Sequence, residues 1–392
     1  MVESAAQPVS SLYAHVPFCV RKCSYCAFYS EAASGNLVNR YVGAVIRELE
    51  LVATDLRPGT IFFGGGTPSL LNLRHWEQIF CAMERLNLLG AAEWTVECNQ
   101  ATLSLDKAKL LRSRGVNRIS LGVQSLDPEL LDRLGRVHTR DRAFQAFDTL
   151  RKAGFDNLNL DLMFAIPGQT LKAWQHTLAE ATAMGSEHLS SYEVTYEEDT
   201  ALYRQLQAAE IDVDEDLACA MYEELVERAT DAGFQQYEVA NFAGDSTPKL
   251  QPSTLTLPSR ACRHNVNYWR GGSFYGIGPS ATSYVRGVRT KNGSNNLRYC
   301  EQLEQGQHAI ESSEELPPLA RAGETAAFGL RMVAGWPFEL FRQTTGHDLR
   351  REWADDMNQL VQQGWGCILP DRFCLTRQGL RFADAAAQLF LR

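Results

Sequence analysis

The chain has 392 residues, of which 45% are hydrophobic and 22% are charged, and its formal net charge at pH 7 is −9. This composition is typical of a globular protein of about two domains, and the acidic balance argues against tight nucleic-acid binding through phosphate contacts. No apolar run approaches the roughly 18 residues of a membrane span, and Met1 to Ser11 lack the basic and apolar regions expected of a secretory signal. We therefore expect a cytoplasmic protein with neither a nucleic-acid partner nor a transmembrane segment.

Short apolar strands alternate with amphipathic helices from residue 12 to about residue 242. The predicted strands are Leu12–Val16, Thr60–Phe63, Thr95–Cys98, Arg118–Val123, Leu158–Met163, Leu189–Val194 and Tyr237–Asn241. Apolar residues at three- and four-residue spacing predict helices between them, for example Ser104–Arg114, Arg140–Ala153 and Asp214–Ala232. This alternation indicates a parallel sheet with right-handed crossovers. About six such units suggest an α/β barrel, open or closed, with its chemistry at the carboxyl ends of the strands.

The alternation ends after Ala243. Gly244–Ser259 is rich in Pro, Ser, Thr and Leu and is interpreted as an inserted loop. The pattern is helical from about Ser312, a short hairpin is predicted around Pro370-Asp371, and a helix over Arg377–Leu391 follows. Helices followed by a small hairpin resemble a winged-helix arrangement. The predicted organisation is a barrel core over residues 1–243, an insertion segment over 244–311 and a helical, winged-helix-like C-terminal domain over 312–392.

Three of the ten cysteines lie within eight residues, directly after the first predicted strand. Cys19, Cys23 and Cys26 have the spacing C-x3-C-x2-C. Soft thiolate ligands suit iron–sulfur clusters, and three of them can hold three irons of a [4Fe–4S] cubane while the fourth iron stays open. The alternative is a zinc site with His15 as the fourth ligand, although structural zinc usually has paired cysteine knuckles.

Polar residues follow the next predicted strands. Three consecutive glycines, Gly64–Gly66, precede Thr67 and permit close approach of the backbone to a ligand. Glu97 and Gln124 lie at the ends of apolar strands, and Asp161 lies within one. Such groups are costly in an apolar strand unless they are paired or face a polar site, so they are either salt-bridged core residues or ligand contacts at the barrel mouth. Arg136 is either part of a surface ion pair or a contact to a carboxylate.

Together these motifs resemble a known family. The pattern C-x3-C-x-aromatic-C, with Tyr25 as the aromatic residue, is the signature of radical S-adenosylmethionine (SAM) proteins. Residues 12 to 390 are similar to its oxygen-independent coproporphyrinogen III oxidase-like branch. The resemblance implies a partial (βα)6 TIM-like radical SAM barrel that binds a [4Fe–4S] cluster and SAM. The positions that match SAM contacts in this branch are Tyr13, Tyr25, Gly65, Gly66, Thr67, Glu97, Gln124, Arg136 and Asp161, of which the last three would belong to a second SAM site.

This branch contains both oxidases and heme chaperones, and three features of the chain resemble the chaperones. Phe28 stands where the oxidases have a further cysteine, only twelve residues precede Tyr13 where the oxidases have a long extension, and an H-N-x-x-Y-W motif begins at His264. The resemblance implies that His264, Asn265, Tyr268 and Trp269 bind heme. Imidazole can ligate heme iron and aromatic rings can stack on a porphyrin, but the same residues can also form a packing corner.

The resemblance therefore implies a heme chaperone that binds heme and transfers it to an apo-heme protein, with the cluster and SAM in a regulatory or radical role. The alternative is an enzyme that decarboxylates coproporphyrinogen III to protoporphyrinogen IX through a 5′-deoxyadenosyl radical. The sequence leaves open the axial heme ligand and the use of the second SAM site. It also leaves open the oligomeric state, because no coiled-coil seam is present.

Overall fold

The computed structural model of the chain describes residues 7–245 and 257–392. The strands are β1 (Val9–Val16), β2 (Phe18–Cys19), β3 (Glu31–Ala32), β4 (Leu56–Gly65), β5 (Glu93–Cys98), β6 (Arg118–Gln124), β7 (Leu158–Phe164), β8 (His188–Glu193), β9 (Gln235–Glu238), β10 (Asn241–Ala243), β11 (Tyr275–Ile277), β12 (Thr282–Val285), β13 (Val288–Asn292), β14 (Ile310–Glu315), β15 (Trp336–Pro337), β16 (Gly366–Ile368) and β17 (Arg372–Leu375). The helices are α1 (Gly35–Val52), α2 (Leu73–Arg85), α3 (Leu105–Ser113), α4 (Pro128–Arg133), α5 (Arg140–Lys152), α6 (Leu171–Ala183), α7 (Ala201–Gln207), α8 (Glu215–Asp231), α9 (Arg263–Trp269), α10 (Asn296–Glu304), α11 (Pro318–Gly329), α12 (Phe338–Thr345), α13 (Leu349–Glu352), α14 (Ala354–Gln362), α15 (Arg377–Arg381) and α16 (Ala383–Gln388).

The described residues group into two compact units, each of which combines separated segments of the chain. Unit 1 is drawn from Met1–Leu158, Thr195–Glu210 and Ser273–Glu315, and unit 2 is drawn from Asn159–Val194, Ile211–Gly272 and Leu316–Arg392. The division expected at residues 243 and 311 follows chain order and stays a prediction. The predicted inserted loop falls mostly on residues 246–256, which lie outside the described residues.

Unit 1 is built on the parallel strands β11–β1–β4–β5–β6, in that order. Phe63 on β4 and Trp94 on β5 pack against Trp76 and Phe80 of α2, with ring centroids 5.2 to 6.2 Å apart along the cluster. All four side chains are buried, as expected where helices cover a parallel sheet. Because parallel strands end at the same edge, the segments after β1, β4, β5 and β6 meet at the carboxyl edge of this sheet.

Unit 2 contains a mixed sheet. β7 and β8 pair in parallel, but β10 runs antiparallel to both β8 and β9. The prediction of one strand over Tyr237–Asn241 is therefore wrong, because the chain reverses there. The Glu238 carboxylate accepts hydrogen bonds from the Ala240 backbone N–H, at 2.9 Å, and from the Asn241 side-chain amide, and it thereby closes the turn between β9 and β10.

The C-terminal part of unit 2 is helical and includes the three-stranded sheet β15–β17–β16. The expected hairpin is present in β16 and β17, around a core that contains Trp336, Trp353 and Phe390. The helix predicted over Arg377–Leu391 is instead two helices, α15 and α16, and it breaks at Phe382, whose ring stacks on another aromatic side chain.

A further finding concerns the segment that precedes the C-terminal helices. The prediction of a helical pattern from about Ser312 is wrong, because Ser312 lies in β14 of unit 1, which pairs with β13. The first helix of the C-terminal region begins at Pro318, where the missing N–H of proline costs no hydrogen bond.

Across residues 7–245 and 257–392, no helix combines the length and apolar character that crossing a membrane requires.

Candidate functional site

The three clustered cysteines lie on one loop of unit 1. Cys19 ends β2, with its Sγ 3.5 Å from Thr67 Oγ1, and the Cys26 backbone N–H donates to Cys23 O at 3.3 Å. All three thiols are half-buried. Burial raises the pKa of the Cys26 thiol, the Phe28 backbone N–H lowers it, and Cys23 and Cys19 raise it further. The three sulfur atoms therefore share one electrostatic environment.

The loop is fixed at the residue between its second and third cysteines. The Ser24 backbone N–H donates to Leu134 O at 3.0 Å, and the Ser24 carbonyl accepts from the Leu202 N–H at 2.9 Å. Both partners belong to unit 1. Two backbone bonds at the centre of the cysteine loop therefore hold it in place, as a preorganised ligand set requires.

Three thiols on one loop are a donor set that suits an iron–sulfur cluster. Among the described residues, no three His, Cys, Asp or Glu side chains converge on one metal position. Zinc needs its ligands around one point, whereas the thiolates of a cubane bind separate irons and stand farther apart. Both ring nitrogens of His15 make hydrogen bonds, with Nδ1 3.0 Å from the Tyr13 hydroxyl and Nε2 2.9 Å from Tyr29 O.

The glycine run forms a cradle at the end of β4. Gly65 has φ +100°, and a Cβ atom there would clash with the His15 ring. Glu97, at the carboxyl end of β5, accepts a hydrogen bond through Oε2 from the Gly65 backbone N–H at 3.2 Å. The Gly66 N–H donates to Val16 O at 2.8 Å. The structure thus brings Gly65, Gly66, Thr67 and Glu97 together beside the cysteine loop, and it adds His15, which the sequence had suggested only as a zinc ligand.

A second group of polar side chains converges over Gly122 on β6. The Cβ atom that Gly122 lacks would lie 3.0 Å from Gln124 Nε2 and 3.3 Å from Arg136 Nη2. Gln124 adopts φ 60°, and its Oε1 and the Nε of Arg136 are buried without a hydrogen-bond partner in the described part of the chain. The Arg136 guanidinium lies 5.9 Å from the centre of the Tyr25 ring. Strained backbone and orphaned polar atoms are typical of ligand sites, so this group fits a polar ligand such as SAM.

His138 belongs to the same region and was not singled out from the sequence. Its Nε2 lies 3.1 Å from Val123 O, and its Nδ1 is buried without a partner among the described residues. Burial, and then the charge of Arg136, lower the pKa of His138 to about 4. The available signal was its position two residues after Arg136.

Asp161 lies in unit 2, whereas the other eight predicted SAM contacts lie in unit 1. Asn159 Nδ2 donates to Asp161 Oδ1 at 2.8 Å, and Asn159 Oδ1 is 2.6 Å from His188 Nδ1. The structure therefore places Asp161 in a polar network with Asn159 and His188 of unit 2. Neither Asn159 nor His188 was identified from the sequence.

The H-N-x-x-Y-W motif forms α9 in unit 2. His264 is only 1% exposed, and its Nε2 lies 2.7 Å from the Tyr268 hydroxyl, one helical turn later. The two rings pack edge to face with centroids 4.8 Å apart. Burial raises the pKa of Tyr268 above its usual value. In this state His264 Nε2 is engaged by Tyr268, as in the packing arrangement that the sequence left open.

The end of the motif presents an aromatic surface. Trp269 is half-buried, and its ring centre lies 6.3 Å from that of Phe328, which is 44% exposed. The Arg331 guanidinium lies 5.0 Å from the Trp269 ring centre. Asn265 is half-buried on the same helix. Aromatic rings beside a cation suit a flat apolar ligand that carries acidic groups.

Comparisons with known proteins assign the chain to a family. The Radical SAM superfamily model matches residues 13–181, and the HemN C-terminal domain model matches residues 316–382. Heme chaperone HemW of Escherichia coli K12 is 33% identical, with 98% of each chain covered, and that of Bacillus subtilis 168 is 31% identical, with 98% of this chain and 99% of the relative covered. The chain belongs to the HemW family. In this HemW-family chain, the region that matches the Radical SAM superfamily model contains Cys19, Cys23 and Cys26.

A solved structure confirms the predicted fold class. The coproporphyrinogen III oxidase HemN of Escherichia coli superimposes with a TM-score of 0.81, covering 98% of this chain and 90% of that one, at 19% sequence identity. At this identity the match shows the fold alone. The HemW-family chain thus has the expected α/β radical SAM fold with a helical C-terminal region.

Proposed function

We propose that this HemW-family protein is a heme chaperone that holds a [4Fe–4S] cluster and SAM, binds heme through α9 and transfers it to an apo-heme protein. The observation that carries the proposal is the similarity to curated heme chaperones over 98% of the chain, at 31% to 33% identity. The cysteine loop and the glycine cradle support cluster and SAM binding, and the aromatic surface at the end of α9 supports heme binding.

In unit 1, Cys19, Cys23 and Cys26 would bind three irons of the cluster. When bound, the cluster supplies an open iron site for the amino and carboxyl groups of SAM. The Glu97 carboxylate accepts hydrogen bonds and suits the amino group of SAM, and the Arg136 guanidinium suits a carboxylate. Tyr13, Tyr25, Gly65, Gly66, Thr67, Gln124 and Asp161 stay predicted SAM contacts.

In unit 2, heme binding by His264 requires a change of partner. A neutral imidazole nitrogen can ligate heme iron, but His264 Nε2 is paired with Tyr268, so that hydrogen bond must open. Trp269 and the exposed Phe328 offer apolar surface to the porphyrin. The Arg331 guanidinium lies beside Trp269 but is paired with Glu238 and Asp384, so a propionate would compete with these carboxylates for it. Asn265 stays a predicted heme contact.

The first experiment is a hemin titration of the anaerobically reconstituted protein, followed by absorbance. We expect stoichiometric binding that weakens about tenfold or more in His264→Ala, because an axial ligand is lost. His347→Ala, which removes a half-buried histidine of unit 2 outside the motif, is the matched control and should bind normally. Equal affinity of the two variants would overturn the role of His264. Transfer is measured as the activity that an apo-heme enzyme regains from the loaded protein.

The oxidase alternative is tested on the other half of the same sample, with coproporphyrinogen III, SAM and a reductant. The likeness to the oxidase structure concerns the fold alone, and Phe28, where the oxidases have a further cysteine, is 65% exposed beside the cysteine loop. We expect no protoporphyrinogen. Multiple turnovers to protoporphyrinogen would replace the chaperone proposal with the oxidase.

A further inference from the structure

A continuous line of hydrogen bonds runs through unit 2 from Asp161 to the start of α9. Asn159 Nδ2 donates to Asp161 Oδ1 at 2.8 Å, Asn159 Oδ1 is 2.6 Å from His188 Nδ1, and His188 Nε2 is 2.9 Å from the Tyr237 hydroxyl. The Cys262 backbone N–H donates to that hydroxyl oxygen at 3.1 Å. The side chains of Asp161, Asn159, His188 and Tyr237 are called the buried relay below.

The acidic end of the buried relay fixes the donors and acceptors along it. An ionised carboxylate only accepts, so Asn159 turns its NH2 group toward Asp161 and its oxygen toward His188. Nδ1 of His188 therefore carries the proton, and Nε2 of the neutral ring accepts from the Tyr237 O–H. The phenol oxygen in turn accepts from the Cys262 N–H. All donors point toward Asp161, and hydrogen bonds aligned in this way polarise one another.

The interior of the relay is shielded from water. His188 is 0% exposed, Asn159 1% and Tyr237 3%. The Ser190 hydroxyl lies 3.1 Å from Asn159 Oδ1 but closer to Asn241 Oδ1, which therefore accepts its single proton. In such a dry site, removal of one partner leaves the remaining groups unpaired, which costs more than the net value of a hydrogen bond.

The relay ends at the entrance of the helix that carries the heme motif. Cys262 is the N-cap residue of α9, its side chain makes no capping hydrogen bond, and the first turn of α9 has no acidic residue. The Tyr237 hydroxyl is thus a side-chain anchor for the backbone at this position. The Tyr237 ring also belongs to the apolar cluster that includes Ala261 and against which Val266 and Trp269 pack. Tyr237 therefore contacts the helix region through both its hydroxyl and its ring.

We propose that Tyr237 and His188 are positioning residues for heme binding, because the buried relay fixes the backbone of Cys262 and thereby the start of the helix that carries His264, two residues later. This inference rests on the proposed heme-binding function. It also gives Asp161 a role other than its predicted contact to SAM, since its carboxylate is the charged acceptor that orients every donor of the relay.

The test compares two buried tyrosines of unit 2. Tyr237→Phe keeps the ring and removes the hydroxyl between His188 and Cys262. Tyr222→Phe is the matched control, because the Tyr222 hydroxyl donates to Val239 O at 3.3 Å and accepts from Gln236 Nε2 at 2.8 Å, and neither bond reaches Cys262. Full-length reconstituted proteins are compared by thermal unfolding, by hemin titration and by the absorbance and electron paramagnetic resonance spectra of bound ferric heme.

Both substitutions remove one buried hydroxyl and should lower the unfolding temperature similarly. We expect Tyr237→Phe to weaken hemin binding about fivefold and to alter the ferric spectrum, whereas Tyr222→Phe changes neither. Asp161→Asn keeps the shape of the half-buried side chain and removes its charge, and it should weaken hemin binding about two- to threefold. This second variant keeps the test decisive if Tyr237→Phe fails to fold.

The outcomes separate this inference from the proposed function. Hemin affinity and spectra that match the Tyr222→Phe control in both Tyr237→Phe and Asp161→Asn, while His264→Ala still loses binding, would overturn the relay and leave heme binding intact. Absence of stoichiometric hemin binding by the unaltered protein would overturn the proposed function itself, and the inference with it.

Discussion

The cysteine loop of unit 1 and the helix α9 of unit 2 hold their functional side chains in opposite ways. In the loop, the three thiols are half-buried, and the neighbouring side chains of Val20 and Phe28 are 64% and 65% exposed. In α9, His264 is enclosed and its Nε2 is taken by Tyr268. Residue spacing identifies both motifs, but local hydrogen bonds decide whether a ligand atom is available.

The buried polar groups near these two segments also differ in part in their hydrogen-bond partners. Gln124 Oε1 and Arg136 Nε of unit 1 are buried without a hydrogen-bond partner among the described residues, and so is Trp269 Nε1 of α9. His188 and Tyr237 of unit 2, in contrast, are joined in a hydrogen-bonded relay. Unpaired buried groups are costly unless a ligand completes them. Under the proposed function, the polar groups of unit 1 would be completed by its ligand, whereas heme binding by His264 would exchange one hydrogen bond for another.

The largest effect should come from removing a thiol of the cysteine loop. Cys23→Ala leaves two cysteines of the motif, and we expect the iron and sulfide content to fall about tenfold or more after reconstitution. Cys81→Ala, which removes an exposed cysteine of α2, is the control and should retain the full cluster. A Cys23→Ala protein with normal iron and sulfide would contradict the assignment of the loop.

The preformed cradle can be broken at Gly65. Gly65→Ala places a side chain at φ +100° against the His15 ring, and we expect the free energy of unfolding to fall by about 3 kcal/mol or more. Gly90→Ala has a similar φ of +91° with no atom within 4 Å of the new Cβ, and it should cost only about 1 kcal/mol. Denaturant unfolding measures both. Equal losses would show that the close approach at Gly65 contributes nothing.

Acid should weaken unit 1 through His138. Its pKa is lowered to about 4, by burial first and then by Arg136, whereas an unfolded histidine titrates near 6.5. Between these values the unfolded state binds a proton that the folded state does not, so the free energy of unfolding falls as the pH decreases from about 6.5 to 4, by at most about 3 kcal/mol.

This pH dependence is measured by denaturant unfolding across that pH range. His138→Gln should flatten it, and His308→Gln, at an exposed position of unit 1, should leave it unchanged. Identical pH profiles for the unaltered chain and His138→Gln would mean that His138 does not control the acid stability of this unit.

The site in unit 1 was largely predictable from the sequence because its information is local. The apolar pattern gave β5 and β6 with ends at or next to Glu97 and Gln124, and parallel strands necessarily bring those ends to one edge. The sequence suggested His15 only as a zinc ligand, because its contact with the glycine cradle depends on Gly65, fifty residues later, whose missing side chain makes room for the imidazole.

Elsewhere the deciding contacts are distant or polar. β14 has six exposed residues and no apolar alternation, so its strand pairing left no pattern to detect. The sequence contains part of the signal for the relay, since Asn159 and Asp161 are two residues apart and therefore lie on the same face of β7. Its partner His188 lies on a different strand, and Tyr237 lies in a segment whose chain reversal depends on the Glu238 carboxylate. Periodicity does not report such side-chain pairing.

The smallest expected effect tests how His264 becomes available. Tyr268→Phe keeps the ring and removes the hydroxyl that engages His264 Nε2 at 2.7 Å. The heme-free state then loses about 1 kcal/mol of stability. If iron binds that nitrogen, no hydrogen bond has to open, and hemin affinity should rise about fivefold. Hemin titration of Tyr268→Phe against the unaltered protein measures the change. Unchanged or weaker binding would mean that the hydroxyl does not compete with iron, and that the His264–Tyr268 pair acts as a unit in holding heme.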